Sequence, residues 1–243
     1  MNDKNSALAT RPKTVAMVGL GPSLREYTAE SFGKKNLTHF DEVWGINTAY
    51  RSLKCDKIWL MDDLRNGISH NYPDWANELK LEKTPIITSR QYDEFPSSVP
   101  YPLDDIVKHF HSDYFDVTPA YMIAYAAYIK VETLFCFGID FHYPNAQVVE
   151  TGLGCTSYWL GRAEEHGVYY KVPNTSTLMS ANLVMEEKDE ETGKVRARRM
   201  LYGYDYNPQD AKRQVDRGNT DPALKAVSER SYKPAGQQEV EPK

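Results

Sequence analysis

The sequence predicts an α/β protein: a Rossmann-like, mostly parallel sheet with helices on both faces, followed by a C-terminal β-hairpin and a disordered tail. Three observations carry this reading. Short apolar runs alternate with stretches of helical character, the pattern of successive βαβ units. The first of those runs, Thr14-Val-Ala-Met-Val-Gly-Leu20, is apolar without alternation, as a strand covered on both faces must be. A turn rich in small residues, Gly19-Leu20-Gly21-Pro22-Ser23, then leads from that strand toward a helix.

The elements follow in order. A polar leader, residues 1–13, is expected to be flexible. Pro22 and Ser23 open a helix that runs toward Phe32. Glu42 to Ile46 is the second strand and Thr48 to Lys54 a short helix. Lys57 to Met61 is the third strand, ending on the carboxylate pair Asp62-Asp63. Pro73 to Leu81 reads as a helix with proline in its first turn, where the missing N–H costs little. Thr84 to Thr88 is a fourth strand, and its Pro85 suggests the edge of the sheet. Residues 91–116, rich in Pro, Tyr and His, resist assignment. Thr118-Pro119 opens a helix to Lys130, and Glu132 to Phe137 is a fifth strand closed by Gly138-Ile139-Asp140. A helix over Tyr158 to His166 then leads to a strand at Val168 to Val172.

Two strand-like runs, Leu183 to Glu187 and Val195 to Tyr204, flank Thr192-Gly193 and read as a hairpin. From Asn207 onward the chain has too few apolar residues to offset the entropy of ordering. The expected organisation is therefore a leader (1–13), a nucleotide-binding domain (14–180), a hairpin or flap attached to it (181–206) and a disordered tail (207–243).

Composition bounds the function. With 243 residues, 41% of them hydrophobic, the chain can bury the core of one large domain. A net charge of −5 argues against a dedicated nucleic-acid binder, whose basic face dominates the balance. Cys55, Cys136 and Cys155 lie far apart without CxxC spacing and read as buried free thiols of a reducing compartment. The opening residues lack a signal-peptide core, and the longest apolar stretch, around Ala120 to Ile129, is too short to span a bilayer. A cytoplasmic protein with no membrane span is expected.

The turn after the first strand is the strongest chemical signal. Gly19 and Gly21 permit a tight turn and close backbone approach, Pro22 presets the first helical dihedral, and Ser23 can cap the helix and donate to a phosphate. Helix N-terminal amides would supply the rest of the attraction to an anion. A plain strand-to-helix turn is the alternative. The dinucleotide pattern is missing, because Leu24 holds the third glycine position and the second strand ends in Asn47, not Asp or Glu. No GxxxxGK[ST] loop occurs either. Asn47 is placed to bond a ribose or base, or else to cap the following helix.

Gly-Leu-Gly-Pro-Ser-Leu after a first strand, Trp44-Gly-Ile-Asn47, and Thr118-Pro-Ala-Tyr through Phe137-Gly138-Ile139-Asp140 together resemble one superfamily. It contains bacterial lipooligosaccharide sialyltransferases, flagellin-modifying motility accessory factors and archaeal 6-hydroxymethylpterin diphosphokinases. The resemblance covers roughly residues 14–142. It implies a Rossmann-like fold holding a nucleotide with Gly19, Gly21, Pro22, Ser23, Asn47 and Thr118, and with Gly138 and Asp140 beside it. It also implies transfer of a sugar from a nucleotide sugar, or of pyrophosphate from ATP. The sialyltransferase branch uses a His base and Tyr–phosphate contacts from its C-terminal part, for which His166, Tyr169 and Tyr170 are the candidates here.

Carboxylates and histidines complete the candidate set. Asp62 and Asp63 end a strand on the edge where open α/β sheets bind ligands, and could hold Mg²⁺ against two phosphates. Helix capping is their alternative. Asp140 and His142 also follow a strand end, and either could deprotonate an acceptor hydroxyl. His109 and His111 form a weak metal-ligand pair, and Tyr158 with Arg162 share one helical face.

The leading expectation is a glycosyltransferase using a nucleotide-sugar donor, with no metal. The first alternative is an ATP-dependent diphosphokinase with Mg²⁺ on Asp62 and Asp63, and the second a non-catalytic nucleotide-binding or sensing protein. The acceptor is left open among a glycan, a small molecule and a modified nucleic acid, and homo-oligomerisation is left open too. A compact phage or bacterial gene product fits this description.

Overall fold

In a computed structural model of the protein the described residues are 8–33, 40–141, 146–173, 175–179, 184–188 and 195–199. The chain divides into two compact units, Met1–Ser180 and Ala181–Lys243. The first holds a seven-stranded sheet and its helices. Its strands are β1 (Thr14–Val18), β2 (Glu42–Ile46), β3 (Lys57–Trp59), β4 (Ile86–Thr88), β5 (Ser98–Pro100), β6 (Thr133–Phe137) and β7 (Tyr169–Lys171). The helices are α1 (Leu24–Gly33), the single turn α2 (Ser69–Asn71), α3 (Pro73–Leu81), α4 (Leu103–Phe110), α5 (Thr118–Tyr128) and α6 (Ala146–Glu165).

The spatial order is β5-β4-β3-β2-β1-β6-β7, and every pairing is parallel. The α/β, Rossmann-like reading therefore holds. The chain starts at β1, steps outward through β5, then returns to lay β6 on the other flank of β1. That reversal is the topological switch point, where sheets of this kind open a crevice at the carboxyl ends of their strands.

Both faces are covered, which explains the unbroken apolar run of β1. Val15 and Met17 face a core shared with Trp44, Trp59 and buried residues of α5 and α6. Ala16 and Val18 face Phe137 with Leu24 and Tyr27 of α1. Farther along that second face, Ile58 and Ile86 pack on Ala76 and Leu79 of α3. All three cysteines are buried and unpaired.

Several expectations are corrected. β4 lies between β3 and β5, so Pro85 does not mark an edge. It precedes the strand, and its carbonyl accepts from Ile58 N–H at 2.9 Å. The edge is β5, inside the stretch that resisted assignment. The last long helix begins near Ala146, twelve residues ahead of the expected Tyr158. Residues 8–13 are tied to the domain and do not form a free leader: Tyr125 donates to the Leu8 carbonyl at 2.7 Å and Lys57 to Thr10 Oγ1 at 2.8 Å.

In the second unit β8 (Val184–Lys188) pairs antiparallel with β9 (Val195–Arg199), the expected hairpin. The tail 207–243 lies outside the described residues. Among the described residues no helix is long and apolar enough to cross a membrane.

Candidate functional site

A cavity of about 690 Å³ opens at the switch point. That size falls within the roughly 300–1,000 Å³ of small-molecule sites. Its wall is built from the ends of β1, β2, β3 and β6 and from the start of α5. Gly19, Gly21, Pro22, Asn47, Asp62, Thr118, Gly138 and Asp140 all line it. Eight expected positions, spread over 122 residues of sequence, thus converge on one space.

The glycine turn is fastened to the end of β6 through its own amides. Gly19 N–H donates to the Phe137 carbonyl and Gly21 N–H to the Gly138 carbonyl, both at 2.8 Å. Ser23 N–H donates to Asp140 Oδ2 at 2.7 Å, and Gly138 N–H returns a bond to Ser23 Oγ at 2.8 Å. The two glycine motifs are halves of one clasp. A Cβ on Gly21 would lie 2.5 Å from Asp140 Oδ2 and 2.9 Å from the Gly138 carbonyl oxygen. Gly138 has φ +66°, a left-handed value that glycine adopts freely, and a Cβ there would press on the Gly19 carbonyl.

This clasp corrects two expectations. Ser23 is fully buried and its hydroxyl is engaged inside the turn, so it does not face a phosphate. Asp140 is 2% exposed and already accepts from the Ser23 amide just ahead of α1, so it is not poised to take an acceptor's proton. The Asp140 carboxyl takes the Ser23 amide at the entry to α1, a place that sequence reasoning reserved for phosphate.

Two buried side-chain oxygens of lining residues are left without partners. Asp140 Oδ1 and Asn47 Oδ1 are buried and accept no hydrogen bond among the described residues. Asn47 also has φ +51°, uncommon for a side chain other than glycine, and opens a 3-10 turn, Asn47–Arg51. Its expected capping role is not the one found: Ile46 occupies the cap position and provides no side-chain bond.

The facing wall is the start of α5. Val117 sits at its N-cap without a side-chain bond, and Thr118 and Pro119 follow in the first turn. Tyr121, one turn on, also lines the cavity. Its ring stacks on Phe115 at 4.6 Å, which in turn stacks on Trp159 at 4.7 Å. Burial raises the Tyr121 phenol above its ordinary value, with the charges of Cys155 and Asp116 adding, so the hydroxyl keeps its proton and can donate.

The carboxylate pair splits. Asp62 is exposed and lines the cavity, together with Asp116, which sequence reasoning passed over. Asp63 caps a π-helical turn, Leu64–Ile68, accepting from Arg65 N–H and Asn66 N–H at 2.9 Å each. Its other oxygen meets Arg90 at 2.5 Å. Hydrogen bonds from the Asn66 and Arg65 amides, with Arg90 nearby, hold its carboxyl below the usual range. Asp63 is thus a structural cap and no longer a candidate phosphate or metal ligand.

His166 is not at the cavity. α6 runs antiparallel to the strands, so its end comes out at the opposite edge of the sheet. There the His166 ring lies 4.8 Å from Phe110 and 5.8 Å from His109. Tyr169 and Tyr170 pair with the first half of β6, far from its carboxyl end. Tyr158 and Arg162 pack α6 against Ser112 and the Phe110 carbonyl. His142 lies outside the described residues.

No family model and no curated protein matches the chain. Solved structures similar to it include the sialyltransferase CstII from Campylobacter jejuni in complex with CMP-3FNeuAc, at 18% identity and TM-score 0.45, covering 84% of this chain and 99% of that one. The same enzyme with cytidine-5′-monophosphate is similar at 19% identity and TM-score 0.43, covering 84% and 99%. The monofunctional α-2,3-sialyltransferase Cst-I from Campylobacter jejuni is similar at 15% identity and TM-score 0.47, covering 89% and 95%. These are sialyltransferases, one of the three branches of the superfamily that the Gly-Pro-Ser-Leu and Gly-Ile-Asp elements resemble. Identity this low gives no residue of this chain a role.

Proposed function

We propose that the protein is a nucleotide-dependent transferase, and specifically a glycosyltransferase that draws on a nucleotide-sugar donor. The observation that carries this reading is the two-sided chemistry of the switch-point cavity. The polar residues Asn47 and Asp62, at the ends of β2 and β3, line one part of it; the start of α5, without a side-chain cap and with Thr118 and Tyr121, lines another. A nucleotide sugar carries both kinds of group: hydroxyls and amines that donate, and phosphate oxygens that accept. The order of the motifs along the chain is similar to that of a superfamily two of whose three branches transfer sugars.

In this reading the departing phosphate develops charge against the α5 N-terminus, where oriented amides and hydroxyls meet it without reorganising. The acceptor's proton goes to an exposed carboxylate of the cavity, Asp62 or Asp116, because Asp140 is closed in and His166 is at the other edge. A second reading, pyrophosphate transfer from ATP, draws support from those same two carboxylates, which could hold Mg²⁺ against phosphates.

A thermal-shift panel of nucleotides and nucleotide sugars, run with Mg²⁺ and with EDTA, tests both. A ligand at a hundred times its dissociation constant adds about 2.7 kcal/mol. Stabilisation by a nucleotide sugar that survives EDTA is the expected result. Stabilisation by ATP only with Mg²⁺, lost in Asp62→Asn or Asp116→Asn, would transfer the assignment to the diphosphokinase. No shift with any of these compounds would remove the nucleotide reading.

A further inference from the structure

The chain just beyond β6 is held from two directions. Its backbone carbonyls are taken in succession: Phe137 and Gly138 by the Gly19 and Gly21 amides, both at 2.8 Å, then Ile139 by Ser176 Oγ at 3.2 Å and Asp140 by Thr177 Oγ1. The first two bonds belong to the glycine turn. The other two come from a short segment after β7, residues 175–179. That segment is anchored at both ends. Thr175 donates its N–H to Glu26 Oε1 of α1 at 3.2 Å and its hydroxyl to the same oxygen. Leu178 N–H donates to Ser176 Oγ at 3.2 Å, and the Leu178 side chain is buried in the core.

The residue that follows the last of these carbonyls is Phe141. It lines the cavity together with Ile139 and Asp140, and its φ is +51°. A residue with a Cβ seldom takes that left-handed value, and keeps it where the surrounding structure over-determines it. Its ring is confined by α6, where a Cβ at Gly152 would come within 2.7 Å. Its backbone is confined by Thr177, which holds the oxygen of the peptide leading into it.

We propose that Ser176 and Thr177 are positioning residues for the cavity, whose hydroxyls hold the Ile139 and Asp140 carbonyls so that Phe141 keeps its left-handed backbone and the wall keeps the shape its ligand needs. Neither hydroxyl residue lines the cavity; both act through the backbone of residues that do. The identity of the ligand rests on the nucleotide reading above, whereas the shape of the wall does not.

The test uses the full chain as wild type, as the double variant Ser176→Ala with Thr177→Val, and as Thr177→Ser, which keeps both hydroxyls. Fluorine NMR on protein carrying para-fluorophenylalanine reads the wall without ligand, the Phe141 resonance being assigned by its loss in Phe141→Leu. That resonance should move or split in the double variant and stay in Thr177→Ser. Calorimetry with AMP, CMP, GMP and UMP, well below the melting transitions, reads the ligand. Affinity for whichever of these binds wild type should fall about tenfold in the double variant and return in Thr177→Ser. A merely structural clamp would lower the melting temperature and leave resonance and affinity alone. An unmoved resonance, or a moved one with affinity within about twofold of wild type, would overturn the proposal. If the double variant does not fold, Thr177→Val alone carries the same readouts. Binding of none of the four by wild type would overturn the nucleotide reading and the ligand's part of this inference, while the fluorine signal still decides whether the hydroxyls set the wall.

Discussion

Asp140 shows how a residue can be found by sequence and still be misread. Its place after a strand end was legible, as was the Gly-x-Gly turn, but their meeting across 117 residues was not. Local pattern identifies a carboxylate and a turn separately; only the fold shows that one is bonded to the other. The consequence for Gly21 is testable. A turn whose role is phosphate approach would lose ligand binding in Gly21→Val and keep the fold. The clasp predicts a loss of stability, since the new Cβ would crowd Asp140 Oδ2 and the Gly138 carbonyl. Overpacking of this kind costs about 1–3 kcal/mol, which a chemical-denaturation curve without ligand will register. Asp62 and Asp63 repeat the lesson, since nothing in an Asp-Asp pair says which side chain turns back to cap. The Asp63 carboxyl is held low by the Asn66 and Arg65 amides, so its contribution is present above the unfolded value and is lost as pH falls. The stability gap between wild type and Asp63→Ala should therefore be open at neutral pH and close below about pH 4. Denaturation midpoints for the two proteins across that range would check it.

Elements were read best where their hydrophobic pattern was long and worst where other constraints intervened. β2 and α3 have the expected limits, while β5 was missed because Ser98-Val99-Pro100 is too short to show a period and ends in proline. The first half of α6 was missed because Gly152 and Gly154 depress helix propensity. Gly152 has a tertiary reason: a Cβ there would come within 2.7 Å of the Phe141 ring, which lines the cavity. The amino ends of β2 and β3 hold a buried ion pair that no pattern announced. Lys57 bonds Glu42, lies 5.6 Å from the Trp44 ring centroid and reaches Thr10, while Trp44 Nε1–H donates to the same Glu42 oxygen at 2.6 Å. Desolvation pulls the Lys57 ammonium below its ordinary value, and Glu42 counters part of that. Removing one partner leaves the other buried and uncompensated, so Lys57→Met should cost about 3–5 kcal/mol. The double variant Lys57→Met with Glu42→Leu should recover much of that loss in the same denaturation experiment, because no lone charge remains.

The whole molecule places every described residue of the candidate site within one unit. A parallel sheet wound outward from β1 and then back to β6 must leave its loops at the carboxyl edge of the central strands, and this topology brings residues from Gly19 to Phe141 around one cavity. The second unit begins at Ala181, after the last strand of the sheet. The core clusters of the sheet are likewise built from residues up to Leu178. A chain ended after Ser180 should consequently keep a cooperative thermal transition, because no described core residue of the first unit is removed. Its response to nucleotides then separates two roles for the remainder. If the truncated chain and the full chain are stabilised equally by the same nucleotide, the cavity is complete as described, and the hairpin serves the acceptor or another partner. If the truncated chain melts as before but no longer responds, Ala181–Lys243 supplies part of the ligand's binding energy.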